Sequence, residues 1–141
     1  MNSLLDTNVV SEYRRAKPNP GVVAYLSGIE IGAAYLSVVT LAEIRFGIER
    51  LDPGARRAAL DRWLSSELAN DFHDRILPVS DLIADMSGKI RARALDAGRP
   101  MDIADTLVAA TAQVHGLTLV TRNTRDFEVW GGAVFNPWLE A

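Results

Sequence analysis

Four carboxylates in this 141-residue chain stand where an apolar run gives way to a helix or a polar loop. Asp6 closes Ser3-Leu4-Leu5, Glu43 follows the apolar stretch Ala33–Val39, Asp105 sits at the start of an amphipathic segment, and Asp126 follows Leu117–Val120. Asp102, three residues before Asp105, is a further acid of open role. The chain has no cysteine and only two histidines, His73 and His115, so a metal site built from it would be all oxygen. Such donors suit Mg²⁺ or Mn²⁺, which favour carboxylates and retained waters. Plainer readings stand beside this one. Glu43 could complete a capping box with Thr40, Asp102 and Asp105 could offset a helix dipole, and Asp126 could be an ordinary loop acid. Asp6 resists such a reading, because an acid straight after a buried strand is costly without a partner or exposure. His115, before a glycine, reads as a helix-end residue, and His73 has no second ligand nearby.

The elements that must position these acids can be read from the pattern. Residues 101–127, MDIADTLVAATAQVHGLTLVTRNTRDF, predict a helix, a tight turn, a strand and a polar loop. Asp102 is the expected N-cap; Ile103, Leu107, Ala110 and Val114 recur at helical spacing, widened by Ala104, Val108 and Thr111. Gly116 is the expected stop. Ala109 and Ala112, on the face of Asp105, are small enough to let another element approach closely. Earlier, Ser3–Leu5 reads as a strand feeding a helix with Val9, Val10 and Tyr13. Asn19-Pro20 starts a helix carrying Val22, Val23 and Leu26. Ala33–Val39 reads as a second strand, and Thr40-Leu41-Ala42-Glu43 as the capping box of a helix with Leu41, Ile44, Ile48 and Leu51 inward. Leu60, Trp63, Leu64 and Leu68 mark another helix. Ile76–Val79 is a short strand, and Ser80 caps a helix with Ile83, Met86, Ile90, Ala94 and Ala97 inward. Ala133–Phe135 is a last, edge strand. Strands alternating with helices indicate an α/β fold with a central, mainly parallel sheet, whose sites form where loops leave the carboxyl ends of the strands.

Composition sets further bounds. Residues 1–141 fit one domain, 48% hydrophobic and 23% charged, without repeats or low-complexity tracts. The absence of cysteine fits a reducing, cytoplasmic setting. The opening MNSLLDTN lacks a basic n-region, so no secretory signal is expected, and no apolar stretch is long enough for a bilayer. Net charge is −3, which alone argues against a nucleic-acid partner; that weakens if four acids sit on cations, since the remainder is then net positive.

The blocks LLDTNVVSE at 4–12, LAEIRFGIE at 41–49, DTLVAATAQVHGLTLVTRNTRDF at 105–127 and NPW at 136–138 resemble the PIN domain. More narrowly they resemble VapC-type toxins of type II toxin–antitoxin systems, the FitB-like branch included. The resemblance covers nearly the whole chain, with all four acidic motifs in order. It implies a PIN-like α/β/α sandwich and a metal-dependent endoribonuclease that hydrolyses RNA phosphodiester bonds. It implies Asp6, Glu43, Asp105 and Asp126 as catalytic, metal-binding acids for Mg²⁺ or Mn²⁺, with Asp6 and Asp105 foremost. Thr7, Asn8, Thr121 and Asn123 match the polar residues that line the same cleft. It further implies a homodimer, a cognate VapB-like antitoxin in a heterotetramer or larger complex, and DNA contact only through that antitoxin. Arg14, Arg15, Lys17, Arg122 and Arg125 could hold RNA backbone; solvated surface charge explains each of them equally well.

Rival readings are a receiver or haloacid-dehalogenase-like phosphatase, a non-catalytic PIN binding module, and a housekeeping RNA-processing PIN nuclease. The phosphatase wants a second Asp two residues after the first, where Asn8 stands. The receiver wants an acidic pair near the first strand and a Lys after a late strand, where this chain has Thr121-Arg122.

Overall fold

Strand β1 (Ser3–Leu5) is buried along its whole length, and its two leucines point to opposite faces of the sheet. That alternation, forced by the two-residue period of a strand, organises the molecule. In the computed structural model, which describes residues 2–140, β1 pairs in parallel with β2 (Ala34–Ser37) on one side and β4 (Thr118–Val120) on the other. β3 (Ile76–Leu77) and β5 (Val134–Phe135) extend the sheet in the order β3-β2-β1-β4-β5, every pairing parallel.

Leu4 and Leu119 face a core formed with α6 (Asp81–Asp96), α7 (Ile103–His115) and Phe127 of the short α8 (Thr124–Phe127). Leu5 and Val120 face the other core. It is covered by α1 (Thr7–Glu12), α2 (Pro20–Gly28), α3 (Val38–Glu49) and a helical arm of α4 (Ala55–Arg62), a π-helical turn Trp63–Leu68 and α5 (Ala69–Asp71). Helices on both faces of a parallel sheet match the expected α/β/α sandwich. The π-helical turn has a packing consequence. Trp63 and Leu68, five residues apart, are both buried; an α-helix would splay them by about 140°, whereas i→i+5 bonding brings them onto one face.

α7 is wrapped rather than one-sided. Thr106 and Val108 to Ala112 are all buried, and Ala109 and Ala112 permit a close approach, as their size suggests. Asp102 caps it through the Asp105 amide, and Gly116 ends it at φ 65°, a left-handed conformation that favours glycine. Ile103, expected inward, is 59% exposed: the neighbouring Thr106 and Ala110 occupy the interior instead. Ala97 is likewise exposed, lying beyond the last turn of α6.

The second strand is shorter than Ala33–Val39 and the capping box does not form. Ser37 ends β2 and its hydroxyl accepts the Val39 amide, so α3 opens at Val38. β-Branched Val38 and Val39 read as strand but belong to the first helical turn. Thr40 is therefore inside the helix, its Oγ1 buried without a hydrogen-bond partner among the described residues. Glu43 is left free to point elsewhere.

Candidate active site

The strand order reverses its direction of growth between β1 and β4, and at the carboxyl ends of these two strands stand Asp6 and Thr121. A crevice at such a switch point is where open parallel sheets place their ligands. Asp6 begins α1 as its N-cap, with its amide donating to Val120 O at 2.9 Å. The residue is 7% exposed, and its carboxylate is held from two sides. The Thr7 amide donates to Oδ1 at 2.9 Å and the Thr121 hydroxyl to Oδ2 at 2.8 Å.

Thr7 also reaches across to α3. Its Oγ1 donates to Glu43 Oε1 at 2.8 Å, so one residue fixes an acid with its amide and another with its hydroxyl. Asn8 donates from Nδ2 to Thr121 Oγ1 at 3.4 Å and accepts the Arg122 amide on Oδ1 at 3.1 Å. The Asn123 amide donates to Thr121 Oγ1 at 3.1 Å. Thr121, fully buried, thus gives its proton to Asp6 and takes two in return. Thr7, Asn8 and Thr121 are joined to Asp6 and Glu43 by these hydrogen bonds, whereas Asn123 joins through its backbone, its side chain lying exposed.

Asp105 projects from the first turn of α7 and Asp126 from α8. The sequence predicts a loop at Asp126; the chain instead makes a helical turn, with the Asp126 amide on Asn123 O at 3.0 Å. The electrostatics of these acids are shared. Asp105 is pushed up to about 7, by desolvation first and then by the charges of Asp102, Asp6, Asp126 and Glu43. Asp6 is raised by its burial, against the two hydrogen bonds it accepts, with Asp102 and Asp126 adding to the rise. Glu43 is raised by desolvation too, and by Asp6 and Asp102, while the Thr7 hydroxyl pulls the other way. Among the described residues none of these five acids is in an ion pair with Lys, Arg or His. They lie within electrostatic reach of one another, yet no three of the described acids or histidines converge closely enough to grip one ion as they stand. His115 ends α7 and His73 stands in an exposed turn.

The donor set fits a hard divalent cation: oxygen only, from carboxylates with no protein cation paired to them among the described residues. Asp102 is the member of the group whose role the sequence left open, and its helix-cap position hid a second part in the field around Asp105.

The basic residues divide. Arg14 and Arg15 line one groove with Thr7 and Glu43. Arg14 lies over the Trp63 ring, 5.9 Å from its centroid, and Arg15 pairs with the buried Glu12 at 3.2 Å. Lys17 is exposed and does not line that groove. Arg122, beside Thr121, lies over Trp138, 5.5 Å from the ring centroid, and Arg125 is exposed on α8. Arg56, on α4, completes the groove's basic rim. Nothing in the sequence pattern singles it out among its neighbours.

The PIN domain family profile matches residues 3–131. A curated relative, "Toxin FitB" of Neisseria gonorrhoeae, is 42% identical over 96% of this chain and 97% of its own. "VapC ribonuclease Y4jK" of Sinorhizobium fredii is 39% identical over 96% of each chain. Among solved structures, that of FitAB bound to an IR36 DNA fragment superposes with a TM-score of 0.90 at 40% identity, covering 96% of this chain and 94% of the other. A toxin–antitoxin complex from Klebsiella pneumoniae superposes with a TM-score of 0.73 at 25% identity, covering 96% and 98%.

Proposed function

The chain belongs to the PIN domain family, and on that premise we propose that it is the toxin of a type II toxin–antitoxin system. In this reading residues 1–141 act as one domain, a Mg²⁺- or Mn²⁺-dependent endoribonuclease working in the cytoplasm and restrained by a cognate antitoxin. The observation that carries the nuclease reading is the group of five acids at the sheet's switch point, without cationic partners among the described residues. Asp6 and Asp105 would be the principal residues to hold the ion, with Glu43 and Asp126 contributing to the same site.

A bound divalent ion supplies charge neutralisation on the phosphate and an activated water for its hydrolysis. The chain's own residues prepare for this. Thr7 and Thr121 each donate to one oxygen of Asp6, which fixes the orientation of its carboxylate. The Thr7 hydroxyl holds Glu43 on the same cleft although it comes from α3. Asp105, pushed up to about 7 by desolvation and its acidic neighbours, would hold the ion as a carboxylate. Arg14, Arg15, Lys17, Arg122 and Arg125 are proposed to steer and hold RNA backbone.

Similarity to a toxin and to a VapC ribonuclease supports the toxin role, and structural similarity to a toxin–antitoxin complex supports the antitoxin partner. DNA is reached through that partner. No described helix is long and apolar enough to cross a membrane. A homodimer fits the large apolar side chains left outside on the expected helices, Phe46 on α3 and Leu82 and Leu95 on α6. The test is cleavage of RNA by purified protein with Mg²⁺ or Mn²⁺, together with growth arrest on expression. Asp6→Ala is expected to abolish both; full arrest by Asp6→Ala would refute the nucleolytic reading.

A further inference from the structure

One groove opens directly from the acid cleft and is rimmed by cations. It runs between α1, α3 and α4, about 430 Å³ in volume, with Thr7 and Glu43 at its cleft end. Its floor is apolar, and Arg14 and Arg56 stand on its rim. Other arginines of this region are paired off: Arg45 with Asp61 at 2.7 Å, Arg57 with Glu49 at 2.6 Å, Arg15 with Glu12. Arg14 and Arg56 are exposed and in no ion pair among the described residues.

Arg14 is also placed. Its guanidinium lies over the buried Trp63 ring, at the start of the π-helical turn. A ring beneath a guanidinium restrains its plane while leaving its N–H fork open, the arrangement suited to bidentate capture of a phosphate. A π-helical turn within an α-helical arm commonly marks a functional position, and here it seats the ring that carries Arg14.

We infer that this groove is the path of one RNA strand leading away from the scissile phosphate, gripped through its backbone by Arg14 and Arg56. The inference rests on the nuclease reading for the identity of the polyanion. The occupant is argued from charge: the two free cations meet phosphates, and a strand laid there runs from the acid cluster, where metal neutralises one phosphate, to arginines that neutralise the next. A single strand fits a groove this small; a duplex does not enter it.

The experiment measures binding of a 5′-labelled single-stranded RNA oligonucleotide by fluorescence anisotropy over a range of salt. The full chain carries Asp105→Asn throughout, so that no cleavage intervenes. Adding Arg14→Ala and Arg56→Ala is expected to weaken binding about tenfold and to lower the salt slope by about 1.4, two contacts at about 0.7 each. Arg14→Lys keeps the charge but loses the fork, and is expected to recover only part of the affinity. Arg57→Ala, which removes a neighbouring but paired arginine, is expected to change nothing. An unchanged salt slope in the Arg14, Arg56 double variant would overturn the inference. So would intact RNA binding with loss of the cognate antitoxin, which would make the groove a protein dock. Failure of the unsubstituted chain to cut RNA would refute the nuclease reading separately, because the binding arm is read without catalysis.

Discussion

Removing one negative charge from the cleft should stabilise the metal-free protein, and Asp105→Asn is the cleanest way to do it. Asp105 titrates at about 7 in the fold against an ordinary 3.8, driven by desolvation and four neighbouring acids. Below pH 3.8 the folded and unfolded chains both hold this proton, and above about 7 neither does. Between those limits the folded state holds the extra proton, so stability falls as pH rises and the deficit is complete above pH 7. Fully shielded from water, such a separation would be worth about 4 kcal/mol. Asp105 is only half-buried, and solvent screening reduces that to about 1–2 kcal/mol. Losing a first-turn carboxylate gives back about 0.5 kcal/mol to the helix dipole. The expected net gain for Asp105→Asn in EDTA at pH 8 is about 1 kcal/mol, on the order of 3 °C in Tm. Urea unfolding in EDTA at pH 5, 6.5 and 8 measures it, with most of the gain gone at pH 5. Saturating Mn²⁺ should then reverse the order, since the wild type gains about 2.7 kcal/mol at a hundred times its Kd and the variant little. A variant no more stable than wild type at pH 8, or one whose gain does not change with pH, would refute the shared-charge account of the cleft.

Other expectations follow from single contacts. Thr121→Val keeps the shape of a fully buried residue but strips Asp6 and the Asn123 amide of a partner; it should cost about 2–3 kcal/mol in urea unfolding. Calorimetry should show its Mn²⁺ affinity reduced by about 10–100-fold, as when a residue supporting a metal ligand is lost. Light scattering at micromolar concentration should give a dimer, and Leu95→Glu should shift it to monomer without lowering Tm if α6 forms the interface. A co-expressed antitoxin should abolish RNA cleavage by placing an arginine among Asp6, Glu43, Asp105 and Asp126; an antitoxin that binds yet leaves cleavage fully active would rule out this plug.

All five strands and most helix caps were legible in the sequence because they depend on neighbours a few residues away. Ser80, Asn19, Asp102 and Gly116 act where local capping chemistry puts them. The start of α3 was misread for the same reason: Thr40 and Glu43 have the spacing of a capping box, but Ser37 captures the Val39 amide first. What Glu43 does instead depends on Thr7, 36 residues away, and no local pattern encodes that. Ile103 was read inward from helical spacing, which cannot foresee that neighbouring residues would fill the interior. Asp6, Glu43 and Asp126 stood out by their place after strands, and Asp105 by opening a helix. The field they share, the part of Asp102 in it and the groove joining Arg14 to Arg56 arise only when distant segments meet.

The bond from Thr121 to Asp6 spans 115 residues of chain. Its consequence concerns the order of events during synthesis. β1 emerges first but occupies the centre of the sheet, flanked by a strand completed only at Val120. A chain released or stalled before that point has the first acid but lacks the strand and hydroxyl that hold it, as well as Asp126. Contacts of such long range are also the slowest to form. The cleft is therefore among the last features to mature, and a ribosome that fails partway through this message leaves behind an unassembled fragment rather than an armed enzyme.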